Sequence, residues 1–229
     1  MKARPQSIPV PVTQVLFDMD GLLLDTERIY TEVTQKIVGR FGKVFDWSIK
    51  GNMIGRGSRE TSEYLVRALE LPISAEDYLD ERDVLLRQAF PAAEPLRGAE
   101  RLVRHLKRHG IPIAVATSSH LDLYELKVTR HRDWFDLFDT VITGDHPEVR
   151  HAKPAPDIFI AAAARLGGEP AATLVFEDAP SGLAAGLTAG MRVIAVPDPN
   201  MDPARYDGAE EILENLEAFD PRRYGLPPY

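Results

Sequence analysis

The stretch Val15-Leu16-Phe17-Asp18-Met19-Asp20-Gly21 runs an apolar segment straight into two carboxylates and a glycine. A short apolar run without polar alternation predicts a strand buried on both faces of a parallel sheet. Ile113-Ala114-Val115-Ala116, Thr140-Val141-Ile142, Leu174-Val175-Phe176 and Val193-Ile194-Ala195-Val196 share that pattern. Helical stretches separate them. Between Ala99 and His109, Leu102, Val103 and Leu106 share one face before Gly110; Asp157 to Leu166 runs into Gly167-Gly168, and Ser181 to Ala189 ends at Gly190. Glycine just past the last turn is the usual helix stop. Strands alternating with helices predict an α/β fold with a doubly wound parallel sheet.

The spacing is uneven. About 95 residues separate the first run from the second, while the later runs lie roughly 20 to 35 apart. The excess carries helical stripes, Ile29, Tyr30, Val33, Ile37, Val38 and Phe41 in one, Tyr64, Leu65, Ala68 and Leu69 in another, Tyr78, Leu85, Leu86 and Ala89 in a third. An all-helical subdomain is therefore predicted at residues 31–94, inserted into a core formed by 1–30 and 95–229.

A chain of 229 residues with 44% apolar content has enough material for such a core and its insertion. A net charge of −8 without any block of Lys or Arg argues against a nucleic acid polymer or an anionic membrane as partner. A small phosphorylated metabolite remains compatible, because one cationic pocket suffices. The absence of cysteine excludes thiolate catalysis, disulfides and Cys-ligated zinc. Met1 to Thr13 is Pro-rich without an apolar signal core, and no segment approaches the roughly 18 apolar residues of a membrane span. The expectation is a cytoplasmic protein, monomeric or weakly dimeric.

In an open parallel sheet, ligands bind beyond the carboxyl ends of the strands. There the sequence sets Asp18 and Asp20 after the first run, Thr117-Ser118-Ser119 after the second, Gly144-Asp145 after the third and Glu177-Asp178 after the fourth, with Lys153 between the third and fourth. Converging carboxylates repel one another unless a cation lies among them. Oxygen donors beside a phosphate call for Mg²⁺, held by Asp18, Asp178 and the Asp20 carbonyl, with Glu177 a further ligand or an acceptor behind the first shell. A phosphomonoester presents three oxygens to be neutralised, one by the cation, one by Lys153, and one by the Thr117 hydroxyl with nearby backbone N–H groups such as that of Ser118. Asp18 is then placed to attack phosphorus, and Asp20 to protonate the leaving alcohol and later deprotonate water. Gly21, lacking Cβ, allows close approach of the substrate.

Asp18-Met19-Asp20-Gly21, Thr117, Lys153 and Glu177-Asp178 together resemble the four motifs of the haloacid dehalogenase-like superfamily, in order and in spacing. The resemblance implies a Rossmann-like core, a helical cap after the first motif and the residue roles just given. The dehalogenase branch keeps only the first Asp, so Asp20 points to phosphatases and mutases. Gly21-Leu22-Leu23-Leu24-Asp25-Thr26-Glu27, Gly144-Asp145-His146-Pro147-Glu148-Val149, Phe176 to Gly182 and Gly225 to Pro228 are similar to the pseudouridine-5′-phosphatase and glycerol-phosphate phosphatase branch. That branch often has Asp where this chain has His146. β-Phosphoglucomutases usually carry His where this chain has Tyr30, which favours hydrolysis over the alternative, a phosphosugar mutase.

Other residues have two readings each. Asp25 and Glu27 either cap the following helix or stand near the substrate. Arg56 and Arg59 are by default a solvated turn; the functional reading makes them substrate contacts, with Arg59 resembling the cap arginine of β-phosphoglucomutases. Asp145 belongs either to the surroundings of the metal or to its own loop. Trp47 and Trp134 read as packing anchors.

Overall fold

Each of the five apolar runs is a strand in the computed structural model, which describes residues 10–54 and 57–229. Strand β1 (Gln14–Phe17) is followed by α1 (Thr26–Gly39), α2 (Trp47–Lys50), α3 (Ser58–Ala68) and α4 (Ala75–Ala89). Then come α5 (Ala99–Arg108), β2 (Ile113–Ala116), α6 (Leu121–Lys127), α7 (Arg132–Phe135) and β3 (Thr140–Ile142). The chain closes with α8 (Asp157–Leu166), β4 (Thr173–Glu177), α9 (Pro180–Thr188), β5 (Arg192–Ala195) and β6 (Glu211–Ile212).

The sheet is parallel throughout, in the order β3-β2-β1-β4-β5-β6. The chain therefore builds outward from β1 to β3, then crosses back to lay β4 against the other side of β1. The order reverses between β1 and β4, where an open α/β sheet leaves its ligand crevice. Both faces are covered, which is why the strands read as unbroken apolar runs. Val15 and Phe17 point into one layer with Leu102, Leu106 and Phe219; Leu16 points into the other with Ile158, Phe159 and Leu183. The sequence reading lacks β6: it has two residues, and its one apolar side chain, Ile212, is largely exposed at the sheet edge.

Helices α1 to α4, followed by α5, fill the interval between β1 and β2. Asp25 caps α1 by accepting from the Arg28 N–H, and Ser74 with Asp77 forms a capping box on α4. Helix α1 runs without a break through position 30. The outgoing and returning segments lie side by side, with the Asp25 N–H donating to the Glu94 carbonyl (2.8 Å) and the Leu96 N–H to that of Leu23 (3.0 Å). Among the described residues no helix is long and apolar enough to cross a membrane.

An aromatic stack joins the sheet centre to its covering layer. Phe17 stacks on Phe176 at 5.1 Å and meets Phe138 edge-on at 5.8 Å, while Phe219 meets Phe176 edge-on at 4.9 Å. Phe17→Ala is expected to lower unfolding free energy by about 3–5 kcal/mol, read from denaturant midpoints at unchanged m-value.

Candidate active site

The site begins with the lysine that ties the strand ends together. The Lys153 ammonium donates to Asp18 Oδ1 (2.6 Å), to Glu177 Oε1 (2.6 Å) and to the carbonyl of Ala116 (3.1 Å). Asp18 directly follows β1, and its N–H is bonded to the Phe176 carbonyl on β4. Glu177 and Ala116 end β4 and β2. One side chain from the loop before α8 thus links the carboxyl ends of three strands. The Phe159 ring lies 4.7 Å from the same ammonium, helping to shut water out.

Glycine makes room for the acids. A Cβ on Gly182, in α9, would fall 1.7 Å from Glu177 Oε1, so only glycine lets the helix start this close to the carboxylate. Glu177 Oε2 accepts from the Ala179 N–H (2.9 Å). Gly21 has φ +81°, and its missing Cβ would lie 2.4 Å from Asp178 Oδ2. Its small size serves the approach of Asp178, a neighbour not foreseen from the sequence, and Gly21 does not line the cavity described below.

Asp18, Glu177 and Asp178 place carboxylate oxygens within 4.8 Å of one another. Burial raises the Asp18 carboxyl, with Lys153 pulling against the rise and Glu177 and Asp20 adding to it. Burial, then Glu177 and Asp18, raise Asp178 well above the ordinary carboxylate value. Burial disfavours the Lys153 charge, yet Asp18 and Glu177 hold it above the usual lysine value. Three acids faced by one ammonium form an oxygen-only donor set short of positive charge, which a small divalent cation fits.

Asp20 lies beside this cluster in different company. Its Oδ1 accepts from the Lys127 ammonium (2.5 Å), and its Oδ2 from Ser119 Oγ (2.9 Å) and Thr117 Oγ1 (3.3 Å). Burial works to raise the Asp20 carboxyl, but the charge and hydrogen bond of Lys127 and the bond from Ser119 outweigh it and leave it below the ordinary value. Thr117 is buried, with its hydroxyl donating to Asp20 and accepting from the Ser119 N–H, a pairing that the sequence reading did not foresee.

Above the strand ends opens a cavity of 680 Å³ between the sheet and the helical insertion. Asp18, Asp20, Ser118, Lys153, Glu177 and Asp178 line its floor. From the insertion come Lys50, paired with Glu27 (3.1 Å), and Arg82, paired with Asp83 (2.9 Å). Arg59 does not line it: its side chain is 89% exposed and pairs with Glu63 one helical turn on, as the solvated reading expects. Arg56 lies outside the described residues. Asp145 belongs to its loop, accepting from the Leu121 N–H at the start of α6.

Lys127, Lys50 and Arg82 were not among the residues singled out in the sequence, and Ser119 was named at its strand end without a role. Lys127 was open to detection, because it shares a helical face with Tyr124 and Val128, both buried. A lysine in a last helical turn reads instead as a solvated cation.

The sequence profile of the haloacid dehalogenase-like hydrolases matches residues 12–190. The chain is 48% identical to (DL)-glycerol-3-phosphatase 2 of Arabidopsis thaliana over 95% of its length and 93% of that protein's. It is 42% identical to the probable pseudouridine-5′-phosphatase of Drosophila melanogaster, over 95% and 96% of the two chains. Among solved structures, a HAD-family hydrolase of Deinococcus radiodurans R1 with bound phosphate and sodium superposes with a TM-score of 0.82 at 27% identity, covering 96% of this chain and all (100%) of that one.

Two substitutions separate the floor of the cavity from the insertion's outer face. Gly182→Ala displaces Glu177 and with it Lys153, and should lower kcat/KM for p-nitrophenyl phosphate by about tenfold to a hundredfold. Arg59→Ala should stay within about twofold of wild type, since it removes only an exposed ion pair. Circular dichroism on both variants checks that the fold is kept.

Proposed function

This chain belongs to the haloacid dehalogenase-like hydrolases and is a phosphoric monoester hydrolase, and from that premise we propose that it uses Mg²⁺ and an aspartyl-phosphate on Asp18 to hydrolyse glycerol 3-phosphate or a similarly small alkyl phosphate. The observation that carries the mechanism is Lys153 within 2.6 Å of both Asp18 and Glu177, on the floor of the cavity that Asp178 also lines. Asp18 and Asp178 would hold the ion, which supplies charge neutralisation at the phosphoryl oxygens when bound. Glu177 serves mainly to hold Lys153, its other oxygen being fixed by the Ala179 N–H.

Asp18 stands at a strand end on the cavity floor, with Oδ1 held by Lys153, and is the nucleophile in this reading. Lys153 neutralises a phosphoryl oxygen and, together with the ion, favours the charged form of Asp18 against its burial. Asp20 donates a proton to the leaving alcohol and takes one from the water that hydrolyses the phospho-enzyme. Ser118, exposed on the cavity floor, offers its backbone and hydroxyl to the phosphate.

The substrate reading is supported by the Arabidopsis relative, and by hydroxyls of Thr31, Thr34, Ser58 and Thr61 around the same cavity. Pseudouridine 5′-phosphate is the second reading, supported by the Drosophila relative and by the Phe45 and Tyr78 rings on the cavity wall. The mutase alternative has less support, both relatives being named as phosphatases.

Phosphate release from glycerol 3-phosphate and pseudouridine 5′-phosphate, measured side by side, separates the two substrate readings by kcat/KM. Asp18→Asn is expected to reduce turnover of either by about a thousandfold or more while leaving the melting temperature near wild type. Retention of a tenth of the wild-type rate removes Asp18 as nucleophile. EDTA should abolish turnover and added Mg²⁺ restore it; full activity in excess chelator removes the metal.

A further inference from the structure

Lys127 closes α6 and has no exposed side-chain surface. Burying an ammonium costs several kcal/mol before any pairing, and an apolar side chain would fill the same space without that cost. Its contacts show where the charge is directed. Nζ lies 2.5 Å from Asp20 Oδ1 and 2.7 Å from Ser119 Oγ, with the Phe90 ring at 4.4 Å and the Tyr30 ring at 5.7 Å. Tyr30 lies on the segment entering the insertion and Phe90 on the segment leaving it, so aromatic walls from both connections hold the ammonium against Asp20.

Ser119 extends the hold. Its hydroxyl accepts from Lys127 and donates to Asp20 Oδ2 (2.9 Å), where Thr117 also donates. A carboxylate offers about four lone-pair sites. Lys127, Ser119 and Thr117 occupy three of them, and the carboxylate keeps 21% of its side-chain surface open toward the cavity.

We propose that Lys127, through its ion pair and the Ser119 hydroxyl, is the positioning residue for Asp20: it fixes the carboxyl with one lone pair facing the substrate and stabilises the carboxylate that proton donation leaves behind. The proposal rests on the reading of Asp20 as general acid. In the first half-reaction an Asp18 oxygen bonds to phosphorus as the phosphorus–ester oxygen bond breaks. The leaving oxygen takes the bond's electron pair and the Asp20 proton and departs as alcohol, and Asp20 becomes a carboxylate beside Lys127. In the second, water attacks phosphorus and gives its proton to Asp20, the bond from phosphorus to Asp18 breaks, and phosphate leaves.

The negative charge that develops on Asp20 grows with the basicity of the leaving oxygen. An alkoxide requires the proton; p-nitrophenolate leaves without it. Lys127 should therefore matter for alkyl esters and little for p-nitrophenyl phosphate, a difference that a purely structural lysine does not produce.

The test is kcat/KM, which ends at the first irreversible step, on p-nitrophenyl phosphate, phenyl phosphate and glycerol 3-phosphate. Wild type is compared with Lys127→Met, Ser119→Ala and Asp20→Asn, each checked by thermal unfolding. Lys127→Met is expected to lose about a hundredfold on glycerol 3-phosphate and about threefold or less on p-nitrophenyl phosphate, with phenyl phosphate between. Ser119→Ala should show the same split at smaller size, and it decides the matter if Lys127→Met does not fold. Equal losses on all three esters, or no loss, overturn the proposal. A split in Asp20→Asn without one in Lys127→Met or Ser119→Ala overturns it while the reading of Asp20 stands; no split in Asp20→Asn removes that reading, and the proposal with it.

Discussion

Lys153 carries its charge where almost no water reaches it, with 6% of its side-chain surface exposed, and stays ionised because Asp18 and Glu177 stand 2.6 Å from its nitrogen. That pairing constrains much of the fold around it. The two acids must arrive on neighbouring strands with their ends level, which the β1–β4 register provides by setting Phe17 opposite Phe176. Helix α9 must begin against Glu177 without a side chain in the way, which Gly182 allows. Removing either acid leaves a buried ammonium short of a partner, and removing the lysine leaves neighbouring carboxylates unscreened; both are far costlier than losing a surface pair.

Asp18 and Asp20 stand two residues apart on one turn, yet their surroundings drive them in opposite directions. Asp18 shares its ammonium with Glu177 and lies among the other acids, so burial dominates and its carboxyl is raised. Asp20 has the Lys127 charge and the Ser119 hydroxyl directed at it, so the charged form is favoured and its carboxyl is lowered. Two chemically identical groups on one turn thus differ in proton affinity through their surroundings alone. The division follows from a lysine assigned to each aspartate, Lys153 from the loop before α8 and Lys127 from the end of α6.

What the sequence revealed follows the strength of each local signal. Five strands were legible because burial on both sheet faces demands uninterrupted apolar residues, and β6 was not, because a two-residue edge strand demands almost none. Asp18, Asp20, Lys153, Glu177 and Asp178 were legible from their place after apolar runs, since the topology alone carries strand ends to one edge. Thr117 and Gly21 were legible in place, while their neighbours within the protein, Asp20 for one and Asp178 for the other, were not, because side-chain direction is settled by packing. Lys127 and Lys50 escaped because their partners, Asp20 and Glu27, lie 107 and 23 residues away in the chain. Arg59 drew attention by its motif, and its helix turns it toward Glu63 and solvent.

The charges in the insertion also bear on what part of a substrate the cavity receives. Lys50 is 14% exposed and held by Glu27 and the Thr31 hydroxyl; Arg82 is 15% exposed and held by Asp83. Lys50 and Arg82 therefore each carry a counter-charge from a neighbouring carboxylate, and Arg87, at the same cavity, is paired with Asp122. A second phosphate on the substrate would have to displace those carboxylates, and Glu27 also adds to the negative field at Asp178. A neutral polyol end needs no such exchange, because it can donate to Glu27 and accept from Lys50 without separating them, and can bond to the surrounding threonine hydroxyls. This arrangement supports the proposed reading of a singly phosphorylated substrate with an uncharged hydroxyl-bearing tail: the strand ends would neutralise the phosphate, and Lys50 and Arg82 already have their own counter-charges.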